Sequence, residues 1–129
     1  MIRKEGRTAA LLPGDLADAD FCRSLVEDAV RELGGLDALV NNAGRQIAVE
    51  SLEEIDDQQW TETFEVNIHA MFRITQAALK HLPAGSTIVN TTSIQAYQPS
   101  PTLVDYASTK AAINNFTKGL AQQVASRGI

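Results

Sequence analysis

A chain of 129 residues and 13.9 kDa is long enough for one domain around one hydrophobic core, and 21% charged against 44% apolar residues leaves no case for disorder. A net charge of −5 and a pI near 4.9, with no basic run, exclude nucleic acid and an anionic membrane surface as partners, and no apolar stretch approaches the ~20 residues of a membrane-spanning helix. Cys22 is the single cysteine, so neither an internal disulfide nor a structural zinc site is available; it reads as a small buried hydrophobe, and with no apolar signal segment after the charged N-terminus the expected location is the reducing cytoplasm.

Short apolar runs alternate along the chain with longer amphipathic ones, the pattern of an α/β protein. Residues 9–12 are the first run, expected as a strand ended by Gly14 and Asp15. Asp18 is placed to cap a helix, because its carboxylate can accept from the unpaired N–H groups of the first turn. Phe21, Leu25, Val26, Ala29, Val30 and Leu33 follow at helical spacing, and Gly34 with Gly35 stops the helix. A second strand over 36–40 gives way to Asn41, Asn42, Ala43 and Gly44. Asp56 opens a long helix, with Gln59 as its capping-box partner, that continues to about Leu82 before Pro83 and Gly85. Its apolar residues cover more than one stripe, so two buried faces are expected. A third strand over 86–92 leads through a loop with Pro99 and Pro101 to a last helix, from near Leu103 to about Ser126. Both long helices read as doubly buried, which points to a homo-oligomer formed through them. Each strand is followed by a helical crossover, so the sheet is expected to be parallel, with right-handed connections and both faces covered.

Asp15, Asn41 and Ser93 each follow directly on an apolar run, at the carboxyl edge where ligands bind in open parallel sheets. Loops after strands are polar in most proteins, so this convergence needs a second signal. Tyr106 and Lys110 supply it, four apart and therefore on one helix face, with Ser93 at a strand end thirteen residues ahead of the tyrosine. A phenol, with an ordinary pKa of about 10, is a poor base at neutral pH. A lysine charge ~5 Å away, at an effective dielectric of ~20, favours the phenolate by ~3 kcal/mol. Such a tyrosine can pass a proton to or from an alcohol oxygen that the Ser93 hydroxyl holds in line. His69 and His81 show no ligand spacing, so no metal is expected.

Asn41-Asn42-Ala43-Gly44, Ser93 and Tyr106-Ala107-Ser108-Thr109-Lys110, in this order and spacing, resemble the short-chain dehydrogenase/reductase family. Val66-Asn67-Ile68 is similar to the stretch around that family's further catalytic asparagine, and Gly14-Asp15-Leu16 to its turn after the third strand. The resemblance implies a partial Rossmann-type, doubly wound parallel sheet made of family strands 3, 4 and 5 with their following helices. Residues 1–129 would then form a single incomplete dinucleotide-binding domain. It further implies that Tyr106 is the proton donor and acceptor, that Lys110 favours its phenolate and binds the nicotinamide ribose, and that Ser93 orients the substrate oxygen. Asn67 would anchor a water on the proton path to Lys110. Asp15 and Leu16 would contact the adenine, Asn41, Asn42, Ala43 and Gly44 would shape the cofactor wall, and Tyr106 with Lys110 would also touch the cofactor. The implied cofactor is NAD or NADP, with no preference readable, and the partner a small alcohol or carbonyl compound. The loop Tyr97-Gln98-Pro99-Ser100-Pro101 resembles the glucose and ribitol dehydrogenase-like branch.

The family's glycine-rich turn, which binds the pyrophosphate through N–H groups at a helix N-terminus, has no counterpart in these 129 residues. Neither has its second strand, whose end separates NAD from NADP users. The family strand order 3-2-1-4-5-6-7 places two strands between the first and second of this chain. The first is therefore expected either to close against the second or to stay poorly anchored. The leading reading is an NAD(P)-dependent oxidoreductase present as a fragment and inactive alone; the competing one is a non-catalytic truncated remnant or a dimerisation module.

Overall fold

The computed structural model describes residues 2–129; Met1, at the head of the charged N-terminal stretch, lies outside the described residues. After a 3-10 turn at Ile2–Glu5, helix α1 spans Ala19–Leu33. Both ends follow from single side chains. Asp18 Oδ1 accepts from the N–H groups of Asp20 (2.8 Å) and Phe21 (3.2 Å), and Gly34 adopts φ 83° while its N–H bonds Val30 O, a left-handed turn that a Cβ would strain.

Strand β1, Ala38–Asn41, and strand β2, Thr87–Asn90, pair in parallel with Leu39 opposite Ile88 and Asn41 opposite Asn90. The helix expected between them forms in three pieces: α2 at Asp57–Phe64, a π-helical turn at Glu65–His69, and α3 at Ala70–Ala78. The π turn inserts one extra residue into the helical phase, the Ala70 N–H reaching Glu65 O. Before and within it, Thr63 and Asn67 are buried toward the last helix, α4, at Val104–Val124. After it, Ala70, Met71, Thr75 and Ala78 are the buried residues, and Ala78 joins the core beneath β1. The two faces expected of one long helix are thus separated along its length. The capping box forms only by half: Asp56 accepts from Gln59 N at 2.7 Å, but the Gln59 side chain reaches Asp105 instead of returning.

Val26, Ala78 and Leu82 form the centre of the core, with Val30, Leu36, Leu39, Ile74 and Ile88 around them. Burying a Val or Leu side chain of this kind contributes ~1.5–3 kcal/mol. Leu39 and Ile88 point into this core, whereas Val40 and Val89, on the opposite face of the sheet, remain 60% and 47% exposed. The sheet is therefore covered on one face only among the described residues. This corrects the expectation of two covered faces.

Residues 9–12 form no strand, and Leu11 is 88% exposed. A strand needs a neighbour for its backbone bonds. In the order expected above, two strand positions separate this run from β1, and no described residue fills them. Of the two outcomes foreseen for this run, closure against β1 is not observed among the described residues. No helix of the described residues is long and apolar enough to cross a membrane.

Asp18→Ala is expected to lower stability by about 1 kcal/mol, measured as a shift in the urea midpoint at unchanged slope. Glu65 accepts from His69 Nδ1 at 2.7 Å and Arg73 Nη1 at 2.8 Å, and these bonds, His69 first, hold its carboxyl below the ordinary 4.5. Its contribution is complete above the unfolded value and is lost as pH falls through the lowered folded one. Glu65→Gln should therefore flatten the acid limb of stability against pH below 4.5, read from urea midpoints across that range.

Candidate active site

The carboxyl ends of β1 and β2 are tied by side chains. Asn41 Nδ2 donates to Asn90 Oδ1 at 2.8 Å and to Thr75 Oγ1 at 3.0 Å, and Asn90 Nδ2 donates to Thr117 Oγ1 at 3.0 Å. One polar chain thus crosses from α3 through both strands to α4. Just beyond, Thr91 N bonds Asn41 O and Thr91 Oγ1 donates to Asn42 Oδ1 at 3.0 Å. These bonds fix the start of the Asn-Asn-Ala-Gly loop against the end of β2.

Lys110 lies over this seam with 3% of its surface exposed. Its Nζ donates to Thr91 O at 2.8 Å, Thr92 Oγ1 donates to Lys110 O at 2.9 Å, and the ammonium stands 5.4 Å from the centre of the Tyr106 ring, within cation–π range. Burial disfavours the charge and pushes the Lys110 ammonium below its usual pKa. Tyr106 is half-buried. The helical spacing brings Tyr106 and Lys110 together as the sequence implies.

Asn67 sits in the π turn with 2% of its surface exposed. Its Oδ1 accepts from Arg45 N at 2.7 Å, and its Nδ2 donates to Arg45 O at 2.9 Å and to Thr109 Oγ1 at 3.0 Å. Thr109 Oγ1 in turn donates to Tyr106 O at 2.7 Å. A methyl group at Gly44 would lie 3.5 Å from Asn67 Oδ1 and 3.7 Å from Lys110 Nζ, so the loop passes over both at van der Waals distance. Asn67, Gly44, Tyr106 and Lys110 are one cluster.

Ser93 stands at the cap of the 3-10 turn Ile94–Ala96, where its Oγ accepts from Gln95 N at 3.2 Å. Among the described residues no hydrogen bond joins it to Tyr106. Leu16 shares a cavity of about 190 Å³ with Leu39, Val40, Asn41, Asn42, Ala43 and Val66. Asp15 is not in its lining; its Oδ1 accepts from Ala17 N at 2.9 Å within its own turn. A larger cavity of about 470 Å³ lies between α1 and α3, lined by Arg23, Arg73 and Lys80 among others. Each of these three pairs with an acid, and none belongs to the cluster at the strand ends.

Sequence reasoning missed Arg45, Thr63, Asp105 and Thr109. The signal was present: Gln59, Thr63 and Asn67 on one helix, and Asp105 and Thr109 on the other, are polar residues at four-residue spacing. Arg45 also bonds Glu62 at 2.6 Å, while its Nη1 is buried without a partner among the described residues.

The family model described as short chain dehydrogenase matches residues 1–129. The uncharacterized oxidoreductase YghA of Escherichia coli (strain K12) is 52% identical over 129 residues, covering 100% of this chain and 44% of that protein. Glucose and ribitol dehydrogenase of Daucus carota is 44% identical over 118 residues, covering 92% of this chain and 40% of that protein. A short chain dehydrogenase from Burkholderia cenocepacia J2315, solved in complex with NADP, superposes with a TM-score of 0.94 at 38% identity, covering 98% of this chain and 52% of the other. The chain thus spans about half the length of the relatives it matches.

Replacing Asn67 by Leu leaves the half-buried Arg45 N–H and carbonyl without their partner, at up to ~1–3 kcal/mol for each unsatisfied group. A loss of about 2–3 kcal/mol in urea unfolding is expected for Asn67→Leu.

Proposed function

The chain belongs to the short-chain dehydrogenase/reductase family, and on that premise we propose that it carries the catalytic half of an NAD(P)-dependent oxidoreductase acting on an alcohol or carbonyl compound. The observation behind this reading is the buried Lys110 ammonium, held by Thr91 O over the Tyr106 ring.

The residues present fit a nicotinamide dinucleotide. Of the three donors of the Lys110 ammonium, Thr91 O takes one, which leaves donors for ribose hydroxyls. The cavity between Leu16 and residues 41–43 offers an apolar wall at the place where the family resemblance puts the adenine. When bound, NAD or NADP supplies or takes up the hydride. Tyr106 passes the proton to or from the substrate oxygen through its hydroxyl, and Ser93 holds that oxygen by a hydrogen bond. Lys110 places a positive charge 5.4 Å from the ring whose hydroxyl exchanges the proton. Asn67 keeps the π turn in place and anchors a water on the proton path to Lys110. Gly44 keeps the loop close above them, Asn41, Asn42 and Ala43 form the cofactor wall, and Asp15 with Leu16 receives the adenine.

The likeness to glucose and ribitol dehydrogenase of Daucus carota supports polyols, sugars or aldehydes as the substrate class. Exposed Trp60 and Phe72 on α2 and α3, and the exposed small residues Ala111, Ala112 and Gly119 on α4, support a homo-oligomer through these helices. The buried thiol of Cys22 fits a cytoplasmic site of action. A second reading, a non-catalytic remnant or dimerisation module, is favoured by the uncovered sheet face at Val40 and Val89.

Calorimetric titration of the purified chain with NADP(H) and NAD(H) decides between them. Micromolar binding that Lys110→Met weakens at least about tenfold, ~1.4 kcal/mol, supports the catalytic reading, under which these 129 residues alone still show little or no turnover. Absence of binding up to millimolar cofactor, with a defined dimer in size-exclusion chromatography, would sink it in favour of the module.

A further inference from the structure

Helix α4 begins without a conventional cap, since Leu103 offers no side chain that can accept from the first turn. Asp105 takes over that work two residues later. Its Oδ1 accepts from Tyr106 N at 2.7 Å, and its Oδ2 accepts from Thr63 Oγ1 at 2.9 Å and Gln59 Nε2 at 3.2 Å. The residue is 0% exposed, and no cation pairs with it among the described residues. A carboxylate in such a place is costly unless its hydrogen bonds are made, and the partial positive charge at the start of a helix favours it.

Two rows of polar side chains meet here. Gln59, Thr63 and Asn67 recur every four residues along α2 and the π turn; Asp105 and Thr109 do the same on α4. Tyr106 and Lys110 each stand one position after a member of the second row, so the rows set the rotation of α4 and with it where both side chains point. Thr109 is held from Asn67, on the loop side. Asp105 is the hold at the helix start.

We infer that Asp105 is a positioning residue for the Tyr106–Lys110 pair, locking the first turn of α4 against α2 through Thr63 and Gln59. Its catalytic meaning rests on the function proposed above, but its test requires no cofactor.

The readout is the titration of Lys110, followed through the Cε resonance of carbon-13-labelled lysine and assigned with Lys110→Arg. In the wild-type chain this midpoint lies below the ordinary 10.5, because the ammonium is buried. Asp105→Ala releases the first turn, admits water to the ammonium and moves the midpoint up toward that value. Asp105→Asn keeps an acceptor for the Tyr106 N–H, and Gln59 can turn its amide to present the oxygen, so the midpoint stays where it is in the wild type. Thr63→Val removes one donor from α2 and moves the midpoint the same way by less, which also serves if Asp105→Ala does not fold. Val26→Ala weakens the core away from α4 and leaves the midpoint unmoved, separating positioning from loss of stability. A folded Asp105→Ala chain with the wild-type midpoint overturns the inference. So does a Thr63→Val chain that leaves the midpoint unmoved, or a Val26→Ala chain that shifts it as far as Asp105→Ala. Failure of NADP(H) to bind would overturn the function and leave this titration fully readable.

Discussion

The carboxamide of Asn67 bonds both backbone groups of Arg45 and the hydroxyl of Thr109, and so joins three segments that local structure alone would leave independent. The loop after β1 has no secondary structure of its own, and the π turn departs from regular helix. Two short hydrogen bonds from a buried side chain to the backbone of one residue define a distance and an orientation together. Gly44 can then approach Lys110 as closely as it does because the residue after it is fixed. The extra residue of the π turn has a matching role. It lets one continuous stretch of chain present Asn67 to α4 and, a turn later, an apolar face to α1 and the sheet.

The strand ends show the same economy in their side chains. Asn41 and Asn90 are register partners, and their amides link into Thr75 on one side and Thr117 on the other. Two four-residue strands provide little backbone pairing, and this polar chain braces the sheet at the edge where Asn67, Gly44, Tyr106 and Lys110 cluster. The rest of the sheet relies on Leu39 and Ile88 facing the helices, since Val40 and Val89 face outward.

What could be read in the sequence divides along physical lines. Asp18, Asp56 and Gly34 were legible because a cap depends on one residue and its immediate neighbours. Both strands and the three long helices were legible because their apolar periods are local. The strand over 9–12 was not, since pairing depends on which strand lies alongside. The capping box failed at Gln59 for a related reason: its amide found a buried carboxylate 46 positions away, a partner that local spacing cannot show. The clustering of Tyr106, Lys110, Gly44 and Asn67 was foreseeable from helical spacing and family likeness. The supporting side chains Asp105, Thr63 and Thr109 left only a four-residue polar spacing as their signal, which is easily passed over because a polar residue in a helix reads as solvated until another helix is known to cover it. The π turn was invisible as well, as nothing in Glu65-Val66-Asn67-Ile68-His69 marks a change of phase.

Cys22 gives the chain a built-in clock. Its thiol is fully buried, donates to the carbonyl of Leu16, and is pushed by burial above its ordinary pKa, so alkylating reagents meet it only when α1 lifts from the preceding loop. As the one sulfhydryl in the sequence, it reports that opening without interference. Leu16 also lines the cavity beside residues 41–43, so any molecule seated there stabilises the closed form and slows the thiol in proportion to its occupancy. The rate of a simple labelling reaction thereby becomes a gauge of binding at a site some distance from the sulfur itself.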